Sequence, residues 1–451
     1  MPETHLSPEF DLVVEEQLKR WTVPGAAVGL LRDGQTEFRA YGVANLNVGW
    51  PTRPDMLFRI ASISKVFTAT LAMTAVDEGV LDLDTPVVEY LPELELQDAE
   101  AHKTITMRHF LSHTSGLYGD YSADYGLGDD ALMRSLPVFA ALPQQSRPGE
   151  LWAYCNSGFQ IAGTVLAKVL GTTFDDAMET RVFKPLGLER TCYGAHDAFG
   201  WPCAMGHVQT GPDSDEHVVT GQYYPRNRRP AGGIISNTSD LLRFARMHMN
   251  GGEIDGQRVL SASATAEMQA PQARAGGWAN SWGVGWDLRP IGDTKVIGHG
   301  GSISGFESLL TLIPEQQTAI VVLTNSGRGS AAYPGIERWL LEHVCGLQEE
   351  TQTTTTLPEA TLGNLTGHYA RPQFEIDVSQ RDGGLLLELQ GPHPLSGETV
   401  PYPSMKLAPV SETVFLVVDG QREEERVEFV LADDGRPRFV RLHGRLANKV
   451  D

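Results

Sequence analysis

Ser62-Ile63-Ser64-Lys65 places a hydroxyl and an amine three residues apart at the start of a long apolar run. On a helix that spacing puts both side chains on one face, one turn apart. A free serine is a weak nucleophile and needs an adjacent proton acceptor. Burial favours the neutral form of a lysine, in which Lys65 can take the proton of Ser62. The chemistry outlined is acyl transfer through a covalent serine ester. Alone, the same four residues also fit a helix cap followed by a surface lysine. Their meaning depends on partners elsewhere in the chain.

Two later stretches supply such partners. Tyr154-Cys155-Asn156 lies between Arg147-Pro148-Gly149-Glu150-Leu151-Trp152-Ala153 and Ser157-Gly158-Phe159, and His299-Gly300-Gly301-Ser302 closes an expected strand. Leu111-Ser112-His113-Thr114-Ser115-Gly116-Leu117 precedes the first of them, and Ala231-Gly232-Gly233-Ile234-Ile235-Ser236 lies between the two. In this order the motifs resemble those of the serine β-lactamase and penicillin-binding protein superfamily: S-x-x-K, Y-x-N, and a strand-end K-T-G or H-x-G. The resemblance covers residues 7–346 and is to the class C β-lactamase-like, peptidase family S12 type.

That resemblance implies a role for each motif. Ser62 attacks a carbonyl carbon to form an acyl-enzyme. Lys65 and Tyr154 move its proton, and either can be the general base. Asn156 hydrogen-bonds Lys65 and a substrate amide oxygen. The backbone N–H groups of Ser62 and Ser302 form the oxyanion hole. Gly300 and Gly301 let substrate approach the strand edge without a side-chain clash. The implied reaction uses no cofactor and no metal, and its partner is a small molecule or short peptide.

His299 stands where β-lactamases and transpeptidases usually carry lysine. With an unperturbed pKa of ~6.5, histidine is largely neutral at pH 7 and is the weaker anion clamp. The chain therefore resembles the H-x-G branch, that of D-aminopeptidases, amidases and related esterases. The leading expectation is a serine hydrolase acting on small peptides or amides, with preference for D-residues. The alternatives are a carboxylesterase with weak β-lactamase activity, or a penicillin-binding sensor that acylates without turnover. Tyr118, Tyr121 and Tyr125, with Asp120 and Asp124, form either a cleft lining with an aspartate for a substrate amine or a solvated loop. Arg226, Arg228 and Arg229 read as a charged surface loop, or as partners of a substrate carboxylate.

Composition bounds these readings. The chain has 451 residues, more than the ~250–300 at which one core stops growing, so two domains are expected. With 36 basic and 57 acidic residues the formal charge is −21, which argues against nucleic acid or an anionic membrane as partner. Residues 1–20 lack a basic start and apolar core, so no signal peptide is expected, and no run of ~20 apolar residues predicts a spanning helix. Cys155, Cys192, Cys203 and Cys345 lack metal-type spacing and read as reduced thiols of a cytoplasmic protein. A Cys192–Cys203 bridge is the alternative in an exported one. A homo-oligomer is compatible with these features.

The elements that must position the site follow from patterning. Residues 7–20 read as an amphipathic helix, Ala26–Leu31 and Thr36–Val43 as a hairpin about Asp33-Gly34, and Ser62–Glu78 as a buried helix ending at Gly79. Residues 80–240 read as helices and long loops. Strands are predicted over Gly283–Leu288, Lys295–Gly298, Phe306–Ile313 and Thr318–Thr324, and a helix over Ala331–Val344. Phe374–Val378, Leu385–Leu389, Val414–Val418, Val427–Leu431 and Phe439–Leu442 read as strands of a small barrel. The expected fold is α/β (α+β): a β-lactamase/transpeptidase-like antiparallel sheet flanked by helices, with an α-rich insert and a C-terminal antiparallel β-barrel (lipocalin-like). The expected domains are 1–347 and 361–451, joined by a polar linker over 348–360.

Overall fold

In the computed structural model, which describes residues 5–450 apart from 122, 212, 213, 216, 222, 351, 394 and 395, Asp33 and Gly34 both take positive φ, 52° and 76°. A two-residue turn of that geometry matches the twist of its flanking strands. It joins β1 (Gly25–Arg32) to β2 (Gln35–Asn45), with Arg32 opposite Gln35. Helix α1 (Pro8–Arg20) precedes the hairpin, with the Ser7 hydroxyl accepting from the Phe10 N–H. The short edge strand β3 (Trp50–Pro51) follows it, then α2 (Ser64–Asp77) and α3 (Asn156–Val169). The remaining strands of this sheet come late in the chain. They are β4 (Ser281–Trp282), β5 (Asp287–Leu288), β6 (Ile297–Ile303), β7 (Phe306–Ile313) and β8 (Thr318–Thr324), followed by α4 (Gly329–His343).

The eight strands form one antiparallel sheet in the order β4-β5-β6-β7-β8-β1-β2-β3. The earliest and the latest strands of this sheet therefore meet in its middle, where Val28 pairs with Val322. Side chains alternate between two apolar layers. Ala26, Val28, Leu30, Leu309, Ile320 and Val322 face α1 and α4. Ala27, Leu31, Leu310, Leu312, Val321 and Leu323 face α2 and the helical insert. A strand buried on both faces reads as a continuous apolar run, which is how Thr318–Thr324 reads. Phe10 and Trp339 pack α1 against α4, with tilted rings whose centroids are 5.2 Å apart.

Three expected boundaries shift. The strand expected over Gly283–Leu288 is two short strands separated by Gly283–Trp286. Gly285 has φ +85°, and a Cβ on it would meet the Ala69 Cβ at 2.7 Å, so the chain turns where it crosses α2. The strand expected to end at Gly298 runs on through His299–Ser302 to Ile303. Ser62 precedes the α-helix instead of opening it.

By density of internal contacts the chain forms two compact units. One comprises Met1–Thr210, Ser214–Arg274 and Ser281–Glu349, and the other Gly211–Asp213, Ala275–Asn280 and Glu350–Asp451. The second unit holds a short helix, α5 (Glu359–Leu365), and nine strands: β9 (Gly367–Arg371), β10 (Phe374–Arg381), β11 (Gly384–Pro392), β12 (Thr399–Pro401), β13 (Met405–Pro409), β14 (Val414–Val417), β15 (Arg426–Leu431), β16 (Pro437–Leu442) and β17 (Arg445–Val450). Eight close into a barrel in the order β10-β9-β17-β16-β15-β14-β13-β11, with β11 back on β10 and β12 added on β11. Ile376, Val378, Leu387, Leu407, Phe415, Phe429 and Val440 are buried in its core. A small barrel filled by its own side chains is the usual outcome at eight strands. All four cysteines are free thiols.

Candidate active site

Ser62 lies in the 3-10 turn Ala61–Ile63 that leads into α2. Ala61 has φ +46°, a region that residues with a Cβ rarely adopt. Such strain persists only where the surroundings hold it. Ser308 Oγ donates to the Ile60 carbonyl at 2.9 Å. Strand β6 passes so close that a Cβ on Gly301 would lie 2.2 Å from the Ile60 oxygen and 3.1 Å from the Ser62 nitrogen. Only glycine permits that approach.

Lys65, in the first turn of α2, has no exposed surface. Its Nζ donates to the Ala231 carbonyl at 2.5 Å and to Ser62 Oγ at 3.0 Å. The rings of Tyr154 and Phe159 lie 4.9 and 5.5 Å from it. The segment carrying Ala231 is fixed to α2 by two further bonds. The Ile234 N–H donates to Ser64 Oγ at 3.0 Å, and Thr68 Oγ1 donates to the Pro230 carbonyl at 2.7 Å. Ser64, the second serine of the motif, is thus committed to holding the wall that Lys65 touches.

Tyr154 is buried beside His113, with ring centroids 4.2 Å apart, and lies 6.2 Å from both Trp282 and His299. The next residue pins this placement. The Cys155 N–H donates to His113 Nδ1 at 2.9 Å, and Cys155 Sγ accepts from the Gly158 N–H at 3.3 Å as the cap of α3. Burial pushes the Cys155 thiol up, so its role is packing and capping. Asn156 opens α3, and its Nδ2 donates to Asp120 Oδ1 at 3.1 Å.

His299 is 2 % exposed, with its ring edge-on to Trp282 at 5.5 Å. Its Nδ1 lies 2.5 Å from the Gly300 carbonyl, which can only accept, so Nδ1 carries the hydrogen and Nε2 the lone pair. Nε2 is buried without a hydrogen-bond partner among the described residues. Burial pushes this imidazole down to about 3. His299 is therefore neutral at any physiological pH. On the other face of β6, Tyr333 Oη lies 3.5 Å from where Gly300 would carry a Cβ, and Ser302 Oγ donates to Glu307 Oε1 at 2.6 Å.

Ser62, Lys65, Tyr154, His299 and Gly301 thus converge on one spot, with Asn156 at the adjoining end of α3. Other expectations change. Arg226 Nε and Arg229 both pair with Asp175, the former at 2.8 Å. Arg229 is 7 % exposed, so these two arginines form an internal ion cluster rather than a charged surface loop. Tyr118 belongs to the apolar core, while Asp124 accepts from the exposed Tyr223 hydroxyl. The Glu307 carboxylate carried no motif of its own, and the Ala231 stretch gave no sign that its carbonyl meets Lys65. Their contacts join segments distant in sequence, which no local spacing reveals. Among the described residues no group of three His, Cys, Asp or Glu side chains could hold a metal. Nor is any described helix long and apolar enough to cross a membrane.

A family model described as Beta-lactamase matches residues 10–343. Penicillin-binding protein 4 of Amycolatopsis lactamdurans is 35 % identical over 349 residues, which cover 76 % of this chain and 91 % of the relative. The crystal structure of SurE with D-Leu superposes over 98 % of this chain and 99 % of its own, with a TM-score of 0.76 and 25 % identity. The D-amino acid amidase of Ochrobactrum anthropi SV3, complexed with L-phenylalanine, covers 70 % of this chain and 91 % of its own, with a TM-score of 0.59 and 25 % identity.

Proposed function

This chain belongs to the β-lactamase family, and from that premise we propose that it is a serine hydrolase forming an acyl-enzyme on Ser62, with small amides or peptides of D-residues as substrates. The contact that carries the reading is the 3.0 Å approach of Lys65 Nζ to Ser62 Oγ. Neutral Lys65 accepts the Ser62 proton as Oγ bonds to the carbonyl carbon, keeping its own hydrogen on the Ala231 carbonyl. Tyr154, against Lys65, delivers a proton to the leaving nitrogen as the C–N bond breaks. Water then attacks the ester by the reverse route, releasing the acid and restoring the Ser62 hydroxyl. The developing oxyanion takes the N–H groups of Ser62 and Ser302, each worth ~2.7–4 kcal/mol in such sites.

Two features favour an amide with a free amine over a penicillin. Neutral His299 offers no fixed charge for a penicillin carboxylate. Asp120, bonded to Asn156 at 3.1 Å, brings an anionic acceptor to the amide-binding group, suited to a substrate ammonium. The D-ligand and D-amino acid substrates in the names of two structural neighbours are consistent with D-stereochemistry.

A panel of D- and L-alanine p-nitroanilide, p-nitrophenyl butyrate and nitrocefin tests this reading. The D-anilide should have the highest kcat/KM. Faster turnover of the butyrate would make the protein an esterase, and stable acylation by nitrocefin without turnover would make it a sensor.

A further inference from the structure

We propose that Arg59 and Arg228 form a carboxylate-binding subsite beside the Ser62 turn, selecting substrates that carry a free carboxylate. This rests on the serine-hydrolase reading above and adds a substrate class to it.

Arg59 ends the short strand Phe58–Arg59, which pairs with Ile235–Ser236 just ahead of the nucleophile turn. It is 4 % exposed. Its Nη1 makes one long bond, 3.4 Å to the Tyr223 carbonyl, and its Nε is buried without a hydrogen-bond partner among the described residues. The guanidinium lies over the Tyr224 ring at 4.9 Å, and that of Arg228 lies over the same ring at 5.1 Å. Two cations thus share one aromatic ring. Among the described residues neither is joined to a carboxylate, whereas Arg226 and Arg229 next door both reach Asp175. In a chain with 57 acidic residues to 36 basic ones, a buried arginine and a half-buried one, with no counter-ion among the described residues, call for an anion from outside. Leaving such charge uncompensated is costly.

The Tyr224 ring that carries both guanidinium groups also lies near the nucleophile turn. Tyr224 Oη lies 3.0 Å, and the Ala61 carbonyl carbon 3.7 Å, from the point where Gly232 would carry a Cβ. Ala61 is the residue before Ser62. Burial, with Arg228 adding to it, holds the Arg59 guanidinium down at about 10, still cationic at neutral pH. Burial raises the Tyr224 hydroxyl, which remains a neutral donor. Guanidinium forks match a carboxylate, and these two occupy the charge-recognition role that neutral His299 leaves open.

The carboxylate has two sources: the C-terminus of the leaving residue or the side chain of an acidic acyl residue. Binding to the Ser62→Ala protein separates them without requiring turnover. Calorimetry compares D-alanyl-D-alanine with D-alanyl-D-alaninamide, and D-glutamate α-amide with D-glutamine α-amide. At least one acid should bind tenfold or more tighter than its neutral partner, and the pair that discriminates names the source. Adding Arg228→Gln should bring that ratio to within threefold of unity. Acids and amides that bind within threefold of each other in both pairs would overturn the subsite. So would a preference that survives Arg228→Gln. Failure of the hydrolase reading shows elsewhere, as no Ser62-dependent turnover, and leaves these binding ratios readable.

Discussion

Asn156 donates its Nδ2 hydrogen to Asp120 Oδ1 across 3.1 Å, so the amide that opens α3 carries a carboxylate beside it. In the proposed reaction this carboxylate meets the substrate ammonium. Hydrogen bonds to charged groups contribute ~1.5–3 kcal/mol, roughly tenfold to a hundredfold in rate. Asp120→Asn should lower kcat/KM by that factor for D-alanine p-nitroanilide, and by less than threefold for its N-acetyl derivative. Equal losses on both substrates would show that Asp120 only supports Asn156.

Gly301 and Gly300 are adjacent yet should respond differently to a methyl group. Alanine at 301 drives its Cβ into the Ile60 carbonyl and against the Ser62 nitrogen. At 300 the nearest atom is Tyr333 Oη, at an ordinary 3.5 Å. A shift of about 1 Å at the nucleophile can cost ~100-fold, and overpacking adds ~1–3 kcal/mol of instability. Gly301→Ala should therefore lose about two orders of magnitude in kcat/KM and melt earlier, while Gly300→Ala stays close to the parent. Steady-state kinetics and thermal melts on the two variants check the contrast.

Lys65 is fully buried against the Ala231 carbonyl, the nucleophile and the rings of Tyr154 and Phe159, so Lys65→Met preserves volume while removing the proton acceptor. The rate of Ser62 acylation should fall by ~10²–10⁴, the usual share of a general base. A variant that keeps its circular dichroism spectrum and still acylates at the parental rate would move the base to Tyr154.

Stability should fall in mild acid. His299 and His248 are both held at about 3 by burial, well below the ~6.5 of the unfolded chain. Below pH 6.5 the unfolded state binds protons that the native state refuses, so stability is lost as pH falls from 6.5 towards 3. Asp287, raised by burial to about 6, acts oppositely between about 4 and 6. His248 lies away from the nucleophile and bonds Thr70 Oγ1 at 3.1 Å, which glutamine can reproduce. Between pH 7 and 5, His248→Gln should lose roughly 2 kcal/mol less stability than the parent. Urea denaturation at the two pH values measures the difference.

Much of this architecture was legible in the chain, and the parts that were not have physical reasons. Asp33-Gly34 and the apolar runs of β1, β7 and β8 fixed hairpin and sheet, because local geometry and double-sided burial both leave sequence traces. The strand broken at Gly285 did not, since its turn answers to contact with Ala69 on α2. In the barrel, β10 and β11 alternate clearly and were expected. Thr399–Pro401, Met405–Pro409 and Arg445–Val450 are short or polar and were not. Ser62, Lys65, Tyr154 and His299 announced themselves as motif residues. Asp120 with Asn156, and Arg59 with Tyr224 and Arg228, depend on segments that meet only in the folded chain.

The central claim is that Ser62 carries the acyl group. Incubation with a fluorophosphonate, followed by proteolysis and mass spectrometry, tests it most directly. The account predicts one adduct per chain, on Ser62, with labelling and hydrolysis both lost in Ser62→Ala. An adduct on another residue, or full hydrolytic activity in Ser62→Ala, would contradict it.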